Sequence, residues 1–172
     1  MEVMVFFKQP DRLHLQSKGF AMLPREGLLI NPNRFSKENF YVSAPKRETV
    51  EGVETFKLEL APKTEEIKLR RIVLWVDTVR WIIISAKTVT WQGQWFKIGF
   101  EYEKFQEKYW LPASALVTVD MKGFKGFSSF HDMHAWKSDN DEQESTGRIT
   151  IEFLDYRINQ GIPDSIFGQE ME

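Results

Sequence analysis

The stretch Ile67–Phe100 constrains this chain more than any other, because it packs three β-prone runs behind two connections too short for anything except hairpins. The first run, Leu69–Val76, ends in Asp77-Thr78-Val79-Arg80. The second runs from Trp81 to Trp91, and the third restarts after Gln92-Gly93 as Gln94–Phe100. A tight turn flanked by Asp77 and Arg80 sets Val76 opposite Trp81. A two-residue turn at Gln92-Gly93 sets Val89 opposite Phe96. Strict alternation then directs Ile72, Leu74, Val76, Trp81, Ile83, Val89, Phe96, Ile98 and Phe100 to one face. That face is large, aromatic and uncharged. The other carries Val73, Trp75, Ile82, Ile84 and Ala86 near the first turn, then Thr88, Thr90, Lys97 and Glu101 farther on.

Around this centre the chain repeats the same grammar. Val3–Phe7 is β-prone and stopped by Pro10; Arg12–Ser17 alternates, with Leu13 and Leu15 on one side and Arg12, His14 and Gln16 on the other. Phe20–Leu23, Gly27–Ile30 and Phe40–Ser43 read as short strands, with a turn-rich loop from Asn31 to Asn39. Glu48–Glu54 reads as a strand, a glycine turn and a new strand, and Thr55–Leu60 sends Phe56, Leu58 and Leu60 inward. Ala61–Glu66 could hold one helical turn. Glu101–Trp110 reads as strand followed by loop, punctuated by Leu111-Pro112. Ser114–Lys122 alternates Ala115, Val117, Val119 and Met121 against Leu116, Thr118 and Asp120. After an irregular stretch from Gly123 to Gly147, Arg148–Ile158 forms a last strand with Ile149, Ile151 and Phe153 on one side. The sum is roughly ten short strands and no long amphipathic helix, an all-β (mainly β) pattern of sandwich, barrel or half-barrel type.

At 172 residues the chain has room for one domain with a sizeable core. An aromatic fraction of 14 % beside a charged fraction of 28 % means that apolar mass is concentrated, not spread. The net charge of −2, with no sequence cluster denser than Lys68/Arg70/Arg71, argues against a nucleic acid partner. The absence of cysteine excludes disulfides, thiolate metal sites and a cysteine nucleophile. No segment reaches the roughly 20 apolar residues of a membrane-spanning helix, and the N-terminus has no signal-peptide pattern.

Candidate chemistry is sparse. His131 and His134 form a His-x-x-His pair around Asp132 in a loop, without the third ordered ligand that zinc requires. His14 alternates outward. Asp77 suits a turn, where its carboxylate bonds the backbone that follows, and no serine–histidine pair or second carboxylate stands beside it. No enzyme is expected, with no catalytic residue, no metal and no cofactor; a metal-dependent hydrolase would rest on the histidine loop alone, and the aromatic face reads either as a packed core or as the wall of a ligand cavity.

The order of several pieces carries a resemblance. Lys8-Gln9-Pro10-Asp11-Arg12-Leu13, Val50-Glu51-Gly52 followed by Phe56–Pro62, Leu74-Trp75-Val76-Asp77 before a turn, Leu111-Pro112 before a strand, and the ending Asn159–Phe167 together resemble the LolA-like family of bacterial outer-membrane lipoprotein carrier and sorting proteins. The resemblance implies a strongly curved antiparallel sheet, an incomplete barrel whose concave apolar face receives acyl chains. It implies a single LolA-like domain over residues 1–172, and the sequence is expected to depart from the family pattern at its start by lacking an upstream helix and export signal. It implies extracytoplasmic, periplasmic binding or transport of lipid or lipoprotein acyl chains at Ile72, Leu74, Val76, Trp81, Ile83, Val89, Phe96, Ile98 and Phe100, with membrane-associated proteins as a further partner class. The alternative is a non-enzymatic protein-interaction or regulatory module on the same sheet.

Overall fold

A computed structural model describes residues 3–9, 12–17, 38–64, 67, 69–120 and 146–168. The described chain is all-β: β1 (Val3–Lys8), β2 (Arg12–Ser17), β3 (Phe40–Val42), β4 (Lys46–Val50), β5 (Val53–Pro62), β6 (Leu69–Asp77), β7 (Ile83–Thr90), β8 (Trp95–Phe105), β9 (Tyr109–Asp120) and β10 (Thr146–Glu152), then a 3-10 turn at Asp164–Gly168. Strands β3 to β10 make one curved antiparallel sheet in the order β10-β9-β8-β7-β6-β5-β3, with β4 also on β5. Its edges do not meet, so the sheet is an incomplete barrel.

Hairpin β1–β2 forms a separate two-stranded sheet. It is tied to the 3-10 turn by Asp164, whose carboxylate accepts from Lys8 Nζ at 2.7 Å and Arg12 Nη1 at 2.8 Å. Those two cations hold the Asp164 carboxyl below its ordinary range.

Register shows why one face became the core. Three cross-strand rows share it: Leu60, Ile72, Thr88, Phe96 and Val119; Leu58, Leu74, Ala86, Ile98, Val117 and Ile149; and a third with Phe56, Val76 and Ile83, past the bulge between Trp75 and Val76, on one side and Phe100, Ala115 and Ile151 on the other. The middle row is the most deeply packed, and Ile98 and Val117 are each 1 % exposed. Removing such side chains from water is the main stabilising term, about 1.5–3 kcal/mol for each large aliphatic.

Five expectations are corrected by the observed pairing. The first turn is longer than two residues. Asp77 N–H donates to Ile82 C=O and Trp81 N–H to Asp77 C=O, so Val76 pairs with Ile83 instead of Trp81. The second turn has three residues, Trp91-Gln92-Gly93, because Gly93 takes φ +84° and supplies the left-handed position that closes a three-residue hairpin. Val89 therefore pairs with Trp95, Thr88 takes the place opposite Phe96, and Val89 turns to the other face. Glu101–Trp110 is not a strand running into a loop. Strand β8 continues to Phe105, turns through Gln106 and Glu107 at φ +51° and +53°, and returns at Tyr109.

Finally, Pro112 lies within β9, at a bulge where the pairing shifts between Glu101 and Tyr102, a place that tolerates a residue without an N–H. The last strand starts earlier and ends sooner than its alternation suggests, at Glu152. The strands expected at Phe20–Leu23 and Gly27–Ile30, and the His131/His134 loop, lie outside the described residues.

Candidate functional site: the apolar face of the open sheet

Seven of the nine residues expected on the apolar face are there. Ile72, Leu74 and Ile98 are buried in its centre, and Val76, Ile83 and Phe100 pack half-buried around them. Phe96 occupies the row with Thr88 and Val119. Trp81 and Val89 are not part of it.

The displacement of Trp81 begins with Asp77. Its carboxylate accepts the N–H of Val79 at 2.7 Å and of Arg80 at 2.9 Å through Oδ1, and the Arg80 guanidinium at 2.6 Å through Oδ2. Burial pushes the Asp77 carboxyl up, but these bonds, the two backbone ones first and the Arg80 charge last, leave it below its ordinary value. A turn wound this way ends in a left-handed residue, and that residue is Trp81 at φ +56°. The residue is 72 % exposed, and its ring leans on Phe56 with centroids 5.8 Å apart.

Sequence reasoning confined the site to the three central strands, yet the face continues. Leu58 and Leu60 extend it on β5, Ala115, Val117 and Val119 on β9, and Ile149 and Ile151 on β10. Their alternation was legible, but their membership depends on which strands pair.

One end of the face closes in aromatic rings. Phe100 meets Tyr102 at 6.0 Å, Phe105 meets Tyr156 at 6.0 Å, and Tyr156 stacks on Phe153 at 6.1 Å. Tyr102 Oη donates to Ile83 C=O at 2.7 Å, and the Tyr156 hydroxyl donates to Pro112 C=O. Burial pushes both phenols up to about 12, against a smaller opposing effect of Arg80 on Tyr102 and with a smaller reinforcing effect of Tyr102 on Tyr156. Both therefore stay neutral and suit an apolar surrounding.

The opposite face is mixed, with charged and polar side chains around Val73, which is buried, and Trp75, Val89 and Leu116. A cleft of about 530 Å³ lies at the β3–β5–β6 side, lined by Tyr41, Val42, Ser43, Glu59, Leu60, Ala61, Arg70, Arg71 and Val89. Val89 is the one expected wall residue that reaches it. Among the described residues no group of three or more His, Cys, Asp or Glu is placed to hold a metal ion. No helix among them is long and apolar enough to cross a membrane.

No protein family's sequence pattern and no curated protein matches the chain. Solved structures do. A putative outer membrane lipoprotein-sorting protein domain from Vibrio parahaemolyticus superposes with a TM-score of 0.54 at 17 % identity, over 76 % of this chain and 47 % of that one. A DUF1329 family protein from Desulfovibrio piger superposes with a TM-score of 0.55 at 18 % identity, over 96 % of this chain and 68 % of that one. The fold is LolA-like. At these identities the likeness concerns the fold alone, and the chain spans about half the length (47 %) of the lipoprotein-sorting domain. The LolA-like sheet accounts for edges that do not meet and for a core cluster that lies on one face of the sheet.

Proposed function

We infer that the chain is a non-catalytic, extracytoplasmic binder or carrier of acyl chains from lipid or lipoprotein, and that the apolar face of its LolA-like sheet receives them. The observation that carries this reading is the unclosed sheet with one continuous apolar face, three cross-strand rows deep, ending in an aromatic cluster with neutral phenols. The centre of the face is filled by its own side chains, since Ile72, Leu74 and Ile98 are 1–5 % exposed. A chain would therefore lie along the half-buried border, against Val76, Ile83, Phe100, Val119 and Ile151. There each methylene withdrawn from water contributes about 0.8 kcal/mol.

The test is displacement of a fluorescent acyl probe by phospholipid. Phe100→Asp and Ile151→Asp, each checked for a native circular dichroism spectrum, should weaken probe binding about tenfold or more by placing a charge on the acyl path. Trp81→Ala and Val89→Ala should leave it unchanged. Equal binding by all four variants would refute the placement.

A protein-interaction module on the same sheet remains the second reading. It is favoured by the exposed apolar side chains at the first turn, Val79 at 84 % and Trp81 at 72 %. Loss of partner capture by Trp81→Ala with intact acyl binding would favour it.

A further inference from the structure

The face opposite the core carries an alignment of cations that the linear sequence does not show. Two cross-strand rows run over it, Glu59, Val73, Lys87, Lys97, Thr118 and Arg148 in one, and Lys57, Trp75, Ser85, Gly99, Leu116 and Thr150 in the next. Lys87 and Lys97 stand directly opposite each other on adjacent strands. Arg148 follows two strands on. At about 4.8 Å per strand these three cations lie along a line of roughly 15 Å.

Like charges directly opposed across strands destabilise a sheet, so this row does not serve folding. The one carboxylate of the row, Glu59, pairs with Arg71. Among the described residues, no carboxylate lies within ion-pair distance of Lys87, Lys97 or Arg148, whereas Arg71 has Glu59 at 3.6 Å and Lys57 has Glu48 at 3.3 Å. The ammonium groups rest on indole rings instead: Lys87 Nζ is 4.4 Å from the centroid of Trp95, and Lys97 Nζ is 5.6 Å from that of Trp75, which Lys57 Nζ also approaches at 5.8 Å. Such contacts hold a cation without cancelling its charge. Beside the row, Leu116 presents an apolar side chain that is 46 % exposed.

We propose that this face docks on an anionic membrane surface, with Lys87, Lys97 and Arg148 facing lipid phosphates and Leu116 entering the headgroup layer. Charge complementarity is the first reason, because on one side of a chain of net charge −2 Lys87, Lys97 and Arg148 line up without an ion-pair partner among the described residues. The second is chemical. The indole rings already carry ammonium groups, so they are poorly placed to stack nucleic acid bases, while cations, half-buried indoles and an exposed leucine are the groups that settle at a lipid–water interface. The docking is independent of what the apolar face holds, and it would orient that face away from the membrane plane.

The experiment is co-sedimentation of the full chain with vesicles of phosphatidylglycerol and phosphatidylcholine, against pure phosphatidylcholine. Binding should require phosphatidylglycerol and fall steeply with salt. Lys87→Gln or Lys97→Gln should weaken it roughly fivefold each, and the pair roughly thirtyfold. The double variant should keep or raise the melting temperature, because it relieves an opposed like-charge pair, and should bind the fluorescent acyl probe as before. Absence of phosphatidylglycerol-dependent binding would overturn the proposal. So would equal binding by the double variant, or a preference at matched salt for a single-stranded oligonucleotide or an acidic peptide over the vesicles.

Discussion

Replacing Asp77 by alanine should destabilise this protein more than any other single change at a turn. The carboxylate is 4 % exposed and accepts three hydrogen bonds of 2.6–2.9 Å, two from the backbone and one from a guanidinium that is 29 % exposed. A bond to a charged acceptor contributes about 1.5–3 kcal/mol. The three share one acceptor and do not add, and water can reach Arg80 to replace part of what it loses. About 3–5 kcal/mol is the resulting cost, in the range for stripping one partner from a buried pair. For a chain of this size that corresponds to a melting temperature lower by about 10 °C.

Asp77→Asn keeps an oxygen for Val79 and Arg80 N–H and loses only the charge, so it should cost less than half as much. Urea unfolding of the three proteins across pH checks the cause. Because the folded carboxyl lies below 3.8, its contribution is complete above pH 3.8 and is lost as pH falls through the folded value. The gap between wild type and Asp77→Asn should therefore be constant near neutrality and shrink in acid. A gap that persists unchanged well below pH 3.8, or an alanine variant as stable as wild type, would refute the account of this turn.

Other consequences follow from the same geometry. Ile98→Ala at the centre of the face should cost about 3–4 kcal/mol in urea unfolding, whereas Val89→Ala, displaced to the opposite face, should cost about 1 kcal/mol or less. Trp81→Gly should change stability by less than about 1 kcal/mol despite deleting the largest side chain type, because the loss of its contact with Phe56 is offset by relief of a left-handed backbone that costs a non-glycine residue about 1–3 kcal/mol. A core tryptophan would cost several times more. In alkaline absorbance titration, Tyr102 and Tyr156 should ionise near 12. The stability their burial supports is complete below pH 10 and should decline as pH rises from 10 toward 12. A titration in which every tyrosine ionises together near 10 while the fold persists would contradict their burial.

Alternation along each run made the strands and the polarity of their faces legible, since a pleated strand half-buried on one side writes itself with period two. Ile72, Leu74, Ile98 and Phe100 were placed correctly on that basis. What alternation does not carry is the length of a turn. One residue more at Gly93, accepted because glycine enters the left-handed region freely, rotated β7 by one position and exchanged Val89 for Thr88. Asp77 bonding three donors consumed Trp81 in the first turn, and a bulge at Ile84 restored Ile83 to the apolar face. Contributions from β9 and β10 to that face, and the line of Lys87, Lys97 and Arg148 on the other, exist only after the register of several consecutive strand pairs is fixed, which depends on the length of every turn between them. For the same reason the absence of a basic run in the sequence said nothing about a basic row across the sheet.

The central claim, that the apolar face of this open sheet holds an acyl chain, is tested most directly by native mass spectrometry of the protein recovered gently from membrane-containing extract. The account predicts a mass increment equal to one or a few acyl lipids, lost from Phe100→Asp and retained by Trp81→Ala. A folded wild-type protein that carries no lipid under those conditions, and takes none up from added phospholipid, would contradict it.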